Sequence, residues 1–218
     1  MGLSPEQYVR LRGALNGTRV AKRSQGGKQL SYLESWDVRA HLIRMFGYGN
    51  FDINLIDQHL VGTREYMGGR DNDKEMVECS WFAKVELVIR DEKGYHLCTY
   101  SDAAIGSTSG PRNMIGEHHD NAMKTAASDA LKRCAINLGT QFGLSLYDDG
   151  TTRDVVRGTL VKPEGYEEPT AVDDAKEQLL KTSLGATRVE EDGATTTTEG
   201  NTHEDRSDAG DGGNVVGA

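Results

Sequence analysis

The stretch that most constrains the fold runs from Asn121 to Tyr147, NAMKTAASDALKRCAINLGTQFGLSLY. Its polar stripe places Lys124, Ser128 and Lys132 at successive steps of four, with Arg133 beside them. This stripe predicts either contacts to phosphates or a solvated surface on which Asp129 and Arg133 form an ordinary ion pair. The apolar residues recur at steps of three and four, which predicts an amphipathic helix with one buried side: Met123, Ala126, Ala127, Ala130, Leu131, Cys134, Ala135 and Leu138.

The segment before this helix has the alternating pattern of β-strands. Apolar residues at 81, 83, 85, 87 and 89 alternate with Lys84 and Glu86, which predicts a strand from Cys79 to Arg90 with one packed face. Alternation from position 51, a polar loop at 68–73 and a turn at 91–94 extend this to an antiparallel meander of at least three strands. The last strand is expected from Tyr95 to Ile105. The glycine-rich segment from 106 to 116, which carries Arg112, predicts a mobile loop.

The first 50 residues predict two helices. Serines at positions 4 and 35 are typical helix caps, and Pro5 favours the first helical position. The second helix is expected to run to position 44 and to lead into a glycine-rich corner that carries Tyr48. That aromatic ring is expected either to stack on a nucleic-acid base or to pack in the core. The first helix has an apolar face formed by Tyr8, Leu11 and Leu15.

A basic hairpin is predicted between these helices, from Thr18 to Leu33, with its turn at Gly26 and Gly27. Positions 20, 30 and 32 are its candidate inward residues. The hairpin is expected either to face a nucleic acid or to be an ordinary solvated surface. It carries four cations with no acidic residue between them: Arg19, Lys22, Arg23 and Lys28.

Charge divides the chain into two parts. The whole chain has a net charge of −9, but residues 164–218 hold 14 acidic and 4 basic residues, a net charge of −10. Residues 1–163 therefore hold 20 acidic and 21 basic residues, a net charge of +1. A nearly neutral body leaves room for a basic groove. The acidic part has few residues able to build a core, which predicts disorder apart from a short helix near Val172 to Leu184.

Cysteine usage and hydropathy predict a soluble cytoplasmic protein. Cys79, Cys98 and Cys134 are odd in number and have no CxxC spacing, which favours buried free thiols over disulfides or zinc ligands. The sequence has no stretch close to the roughly 18 consecutive apolar residues of a membrane span. No membrane partner is expected.

One cluster has metal-ligand chemistry, at positions 117–120 with the sequence EHHD. Adjacent side chains on a helix do not face one another, and no second group has the spacing that a nuclease or deaminase needs. A segment that caps the start of the long helix is the favoured interpretation. The sequence also has no P-loop and no GxSxG, so no cofactor is predicted.

Three separated motifs resemble one known family. SDALKRCAINLGTQFGLSLY (Ser128–Tyr147), MFGYGNF (Met45–Phe51) and KGYH (Lys93–His96) resemble the annealing domain of the Rad52/22 family of double-strand break repair and recombination proteins, in its bacteriophage branch. The resemblance covers roughly Ser4 to Arg157. Three motifs in the right order are more specific than any single short pattern.

The resemblance implies a function and a site. Members of that family anneal complementary single strands without nucleotide hydrolysis, as rings of many subunits, and their N-terminal helix takes part in assembly. The face formed by Tyr8, Leu11 and Leu15 is therefore the expected subunit contact. The family's DNA-contacting Lys-Arg pair corresponds to Lys132 and Arg133.

Two departures from the family pattern affect the expected charge of the DNA-binding groove. Ile136 and Asp37 stand where eukaryotic members have basic residues, and Arg39, two residues after Asp37, is the expected substitute. The groove is therefore expected to be less basic than in its relatives, with either a lower affinity or a shifted DNA path.

Together these observations predict an α+β fold, an antiparallel β-meander packed on a long helix, with an N-terminal helix and a disordered acidic C-terminal tail. Residues 1–162 are expected to oligomerise, bind single-stranded DNA and anneal it in recombination, without catalysis, and residues 163–218 to form the tail. A recombinase or a host single-strand-binding protein is a further candidate partner. The predicted DNA contacts are Lys22, Arg23, Lys28, Arg39, Tyr48, Arg112, Lys124, Lys132, Arg133, Arg153 and Arg157.

Two alternative functions stay open. The first is a single-strand binder that loads a recombinase without annealing. The second is a metal-dependent nuclease that uses His118, His119 and Asp120.

Overall fold

The computed structural model describes residues 2–25 and 27–168 of the chain. Short 3₁₀ turns join some of the regular elements. In chain order these elements are α1 (Pro5–Arg12), β1 (Val20–Gln25), β2 (Lys28–Leu33), α2 (Ser35–Phe46), β3 (Phe51–Gly68), β4 (Lys74–Arg90), β5 (His96–Pro111), α3 (Ile115–Ala135) and α4 (Leu144–Asp148).

The three long strands form an antiparallel sheet in the order β3-β4-β5, and α3 packs on one face of it. The buried row of β4 includes Val85, Leu87 and Ile89, as the alternating pattern predicts. These residues pack against the apolar side of α3, where the Cys134 thiol donates a hydrogen bond to the Val85 carbonyl at 3.3 Å. The predicted α+β class, a meander on a long helix, is confirmed.

The prediction of a loop from 106 to 116 is wrong, because β5 continues to Pro111 and pairs with β4 along this length. Its glycines serve packing. A Cβ on Gly106 would lie 2.3 Å from the Ala122 carbonyl oxygen, and a Cβ on Gly110 would lie 2.3 Å from the His118 ring. Glycine at these positions lets the strand approach the helix backbone closely.

The apolar face of α1 packs inside its own chain, so its expected role as a subunit contact is wrong. Leu15, which follows the end of α1 at Arg12, is 3% exposed and belongs to the main core, and Leu11 packs against that core. The Tyr8 hydroxyl lies 2.8 Å from the Thr159 hydroxyl, and its ring makes an edge-to-face contact with Tyr166. A short helix needs such a surface to be stable, and here the surface is intramolecular.

Helix α2 begins one residue earlier than predicted, since Glu34 occupies the N-cap position and Ser35, the predicted cap, is already helical. Its residue Asp37 is 2% exposed and binds Arg19, with Nη2 to Oδ2 at 2.8 Å. Arg19 also donates to the Gln141 carbonyl at 3.0 Å. Arg19 therefore anchors the base of the hairpin to α2 and to the segment after α3, and the expectation that it faces DNA is wrong.

His41 lies one turn after Asp37 on the same helix, with its ring edge against Phe142. Burial, followed by the positive charges of Arg19 and Arg44, lowers the pKa of His41 from 6.5 to about 4. Arg44 donates from Nη1 to the His41 Nδ1 at 3.1 Å, which requires that nitrogen to be unprotonated. His41 is thus neutral in the folded protein at pH 7.

This buried imidazole predicts acid sensitivity. Between pH 6.5 and 4 the unfolded chain binds a proton that the folded chain excludes, so stability falls as the pH falls. We expect His41 to contribute a loss of up to about 3 kcal/mol in the free energy of unfolding across that range. Urea unfolding at pH 7 and 4.5 measures it, with His41→Asn as the reference. Equal losses of unfolding free energy in the wild-type protein and in His41→Asn would show that His41 is not the source of the acid sensitivity.

All three cysteines have free thiols, as predicted. Cys79 and Cys134 are buried, Cys98 is half-buried, and burial raises the pKa of each thiol above its ordinary value. These thiols are therefore protonated at neutral pH and packed as small apolar groups.

The C-terminal part of the chain divides at Tyr166, with Met1–Tyr166 as one unit and Glu167–Ala218 as the other. The predicted helix near Val172 to Leu184 and most of the predicted disordered tail lie outside the described residues. The functional division at residue 162 stays a prediction. Within the described ranges, no helix combines the length and apolar character needed to cross a bilayer.

Candidate nucleic-acid interface

A groove of about 540 Å³ opens between the hairpin, the last turns of α3 and α4, with β5 at its floor. We call it the hairpin–helix groove. The hairpin contributes Arg23 and Tyr32, and α3 contributes Lys132 and Arg133. Only the end of the polar stripe on α3, at Lys132, together with the adjacent Arg133, thus meets the basic hairpin.

Tyr32 is the residue that joins the two sets of cations. The guanidinium carbon of Arg23 lies 5.4 Å from the centre of the Tyr32 ring, and the Lys132 Nζ lies 5.7 Å from the same centre. Each cation–π contact at such a site contributes roughly 0.5–1 kcal/mol. A cation from the hairpin and one from the helix are held around a single ring.

Sequence reasoning missed Tyr32 as a site residue and treated it as a candidate inward residue. The strand register contains the signal. Ala21 pairs with Tyr32 and Arg23 pairs with Leu30, so all four side chains lie on one face of the hairpin. Leu30 on that face is 39% exposed, so the face is open to the groove rather than buried.

The two helix cations have carboxylate partners, but these are not the predicted ones. The Lys132 Nζ lies 2.5 Å from the Asp129 Oδ1, and the Arg133 Nε donates to the Asp102 Oδ1 on β5 at 3.0 Å. The predicted alternative, an Asp129–Arg133 pair, is wrong. The hydrogen bond to Asp102 raises the pKa of Arg133 above its ordinary value. A phosphate entering the groove would exchange with these carboxylates.

This exchange predicts the effect of removing one internal anion. Asp129→Asn should release Lys132 and strengthen single-strand binding about two- to fivefold at low salt, because an ion pair at a partly exposed site is worth ~0.2–1 kcal/mol. Fluorescence anisotropy with a labelled oligo-dT measures the affinity. The matched control is Asp120→Asn, which frees Lys124 outside the groove. Equal strengthening in both variants would mean that overall charge, not the groove, controls binding.

The two departures from the family pattern have different outcomes. Ile136 lines the groove and leaves one wall apolar, in line with a less basic groove. Asp37 is buried against Arg19 and does not line the groove, so the expected loss of groove charge relative to other members stays a prediction at that position. Arg39 is exposed, makes no ion pair among the described residues and does not line the groove, so its role as a substitute stays a prediction.

Four predicted contacts lie outside the groove and have carboxylate partners there. Arg112 lies 3.2 Å from Glu65 and 3.5 Å from Glu75. The other pairs are Arg153 with Asp149 at 2.7 Å, Arg157 with Asp154 at 3.8 Å, and Lys124 with Asp120. The groove does not bring these four residues together.

Three further predicted contacts have side chains that are either exposed or outside the part that the structure describes. Lys22 is exposed and makes no ion pair within the described ranges. It directly precedes Arg23 in β1, so its side chain lies on the opposite face of the hairpin. The side chain of Lys28 lies outside the described part. Tyr48 is 87% exposed, so its alternative as a core residue is wrong and base stacking stays a prediction.

The EHHD cluster lies within the first two turns of α3, which starts at Ile115, so its expected role as a cap is wrong. Its side chains diverge. His118 contacts the Pro111 carbonyl at 3.0 Å, His119 accepts a hydrogen bond from Trp81 at 2.8 Å, and Asp120 binds Lys124. Among the residues that the structure describes, no group of three or more His, Cys, Asp or Glu is placed to hold a metal ion.

A β-meander packs on a long helix, and cations from a hairpin and from that helix lie around one groove, which has the chemistry of a phosphate-binding surface. The family model for Rad52/22 family double-strand break repair proteins matches residues 6–163. The match spans more than half of the 218 residues, and the chain therefore belongs to the Rad52/22 family. That family acts in DNA recombination and repair by annealing single strands, and its members bind single-stranded DNA and form oligomers. A search of curated proteins found no match to the chain.

Proposed function

We propose that this protein binds single-stranded DNA through its phosphates in the hairpin–helix groove and anneals complementary strands during recombinational repair. It does so without nucleotide hydrolysis or covalent chemistry. The observation that supports this is the convergence of Arg23, Lys132 and Arg133 on one groove around Tyr32. Two elements that are about 100 residues apart in sequence supply cations to the same surface.

The chemistry of the groove suits a strand whose bases must stay free to pair. Lysine and arginine bind phosphates without reading sequence, and they gain affinity by releasing counterions from the strand. The sequence is then read by the partner strand. Three cations in one domain bind only a few phosphates, so useful affinity requires several copies along one strand.

The apolar residues of the groove provide a second kind of contact. Tyr147 is 63% exposed and Ile105 is 58% exposed, and both line the groove. A base stacked on an exposed aromatic ring contributes about 1–3 kcal/mol in single-strand-binding proteins. Tyr147 is therefore the proposed base platform, and the cations hold the backbone beside it.

We assign this activity to residues 1–162 and not to the acidic segment 163–218. The groove residues all precede residue 150, and the family match ends at residue 163. A segment with a net charge of −10 repels DNA rather than binding it.

An annealing assay tests the proposal against its alternatives. Two complementary labelled oligonucleotides are mixed with the protein in the absence and presence of ATP, and duplex formation is followed by energy transfer. We expect the same acceleration in both conditions. Binding without acceleration would favour the recombinase-loading alternative, and magnesium-dependent shortening of the labelled DNA would favour the nuclease; either result overturns the proposal.

A further inference from the structure

Trp36, in the first turn of α2, is a large aromatic residue that is open to solvent and does not line the groove. It is 65% exposed, although tryptophan is one of the more buried residue types on average. A single exposed apolar residue needs no explanation by itself. What Trp36 does therefore has to be inferred from the residues that surround it.

The indole ring of Trp36 is held by its edge. Its Nε1 donates a hydrogen bond to the carboxylate of Glu34, which occupies the N-cap position of α2. Since the N–H lies in the plane of the ring, this bond leaves both ring faces open to stacking. In the described part of the chain, neither another aromatic ring nor a cation lies over the indole. The ring is oriented but uncovered.

A cation lies beside this ring on the same side of α2. Arg39 follows Trp36 by three residues in the helix, and side chains at that spacing are neighbours, with Cβ atoms roughly 5–6 Å apart. Arg39 is exposed and makes no ion pair within the described ranges, whereas Arg44 on the same helix lies 3.7 Å from Asp37. The outward side of α2 thus presents an open aromatic face next to a cation that no described carboxylate neutralises.

The first turn of α2 adjoins the hairpin–helix groove. Leu33 and Val38, which flank Trp36 in the sequence, both line the groove. Tyr32, which joins the groove cations, directly precedes Leu33 at the end of the hairpin. Val38 is fully buried on the inward side of the helix, and Trp36 projects from the outward side. Trp36 therefore stands at the rim of the groove, where a strand that leaves it at this end meets α2.

We propose that Trp36 stacks on a base of single-stranded DNA at the rim of the groove and that Arg39 binds a phosphate of the same segment of strand. This inference rests on the proposed function, because it extends the path of the strand beyond the groove. Single-strand-binding surfaces combine these two kinds of contact, a cation for the backbone and an aromatic ring for a base. Stacking covers the face of the base and leaves its pairing edge open, which suits a strand that must later anneal.

A protein partner fits this surface less well. The next residues on the outward side of α2 are Ala40 and Ile43, and both are half-buried. Aromatic residues that dominate a protein interface are surrounded by further contacts that exclude water. Trp36 instead has a cation beside it and little apolar surface around it, which is the area and chemistry of a single nucleotide.

Tryptophan fluorescence tests the stacking contact directly, because the chain has two tryptophans and the second one reports on the sheet. Trp81 is half-buried and donates to His119 at 2.8 Å. Titration with oligo-dT should quench the wild-type emission with the same midpoint that anisotropy gives for binding. The matched control, Trp36→Phe, keeps only Trp81, and its emission should not change when DNA binds. Binding without quenching, or equal quenching in Trp36→Phe, would overturn the inference.

The salt dependence of binding separates the two proposed contacts. Trp36→Ala should weaken binding about five- to tenfold, as expected for the loss of one stacked base, and leave the salt slope unchanged because stacking releases no counterions. Arg39→Ala should lower the slope by about 0.7, the contribution of one phosphate contact on single strands. Tyr95→Ala is the matched control, since it removes a 52% exposed ring that does not line the groove. Wild-type affinity in Trp36→Ala, or equal weakening in Tyr95→Ala, would overturn the inference.

A strand without bases distinguishes this inference from the proposed function. An abasic strand of the same length keeps its phosphates, so the wild-type protein should still bind it through the groove cations, but the Trp36 emission should stay unchanged. Trp36→Ala should bind this strand as tightly as the wild-type protein does. Quenching by the abasic strand equal to that by oligo-dT would overturn the inference alone. Failure of the wild-type protein to bind either strand would overturn the proposed function and the inference with it.

Discussion

Replacing both Lys132 and Arg133 by alanine is expected to abolish stable single-strand binding while leaving the fold and the assembly intact. The variant loses two of the three groove cations. Each charged hydrogen bond to a phosphate is worth ~1.5–3 kcal/mol, so the affinity should fall on the order of 100-fold or more. The salt dependence of binding should flatten by about 1.4 in slope, which is the contribution of two phosphate contacts on single strands.

The fold should survive because the two side chains are 22% and 51% exposed and their partners are surface carboxylates. Anisotropy titrations at several salt concentrations measure both quantities. The charge-matched control is Arg10→Ala with Arg64→Ala, which removes two exposed cations bound to Glu6 and Glu78. Unchanged affinity and slope in the groove variant would rule out the groove as the binding site.

Replacing Arg19 by alanine is expected to cost about 3–5 kcal/mol of unfolding free energy, because it leaves a buried carboxylate without its main partner. Asp37 is 2% exposed, and Arg19 makes two hydrogen bonds to it through Nε, at 3.1 Å each, and one through Nη2. The same change removes the bond to Gln141 that ties the hairpin to the segment after α3. The loss is therefore larger than for any exposed ion pair in the described residues.

Urea unfolding measures this loss, and two further variants identify its cause. Arg44→Ala removes a 52% exposed cation that lies 3.7 Å from Asp37 and also removes the hydrogen bond to His41, and it should cost about 1–2 kcal/mol, less than Arg19→Ala. Arg19→Met combined with Asp37→Leu removes both charges and should recover much of the stability. A double variant as unstable as Arg19→Ala would show that the contact to Gln141, rather than the buried charge, dominates.

The sequence was most informative where the pattern is local. The steps of three and four in the long helix and the alternation in β4 depend on neighbouring residues, and both elements formed with the predicted buried faces. Gly106 and Gly110 show the limit of such patterns. Glycines predict a loop by their conformational freedom, but here their missing side chains matter because a helix lies against them.

The candidate site was harder to predict because its contacts join distant segments. Lys132 and Arg133 were found through the family motif, whereas the place of Arg23 beside Tyr32 depends on how the hairpin docks. Asp37 and Arg19 show the same difficulty. Both are charged residues that local rules place on a surface, and only their mutual burial reveals a structural role.

An apolar face on a short helix is equally ambiguous. Tyr8, Leu11 and Leu15 need a partner surface, but their spacing carries no information on whether that surface belongs to the same chain or to a neighbour. The structure places it in the same chain, against the core and the segment around Thr159.

The internal carboxylates of the groove have a consequence for how a bound strand departs. In the proposed complex, Lys132 and Arg133 exchange Asp129 and Asp102 for phosphates, and the exchange reverses as each phosphate leaves. Neither of these two cations is left without a counter-charge at any step. In the proposed complex a strand can therefore release its phosphates one at a time as its complement pairs with the free bases, which agrees with the proposal that annealing proceeds without nucleotide hydrolysis.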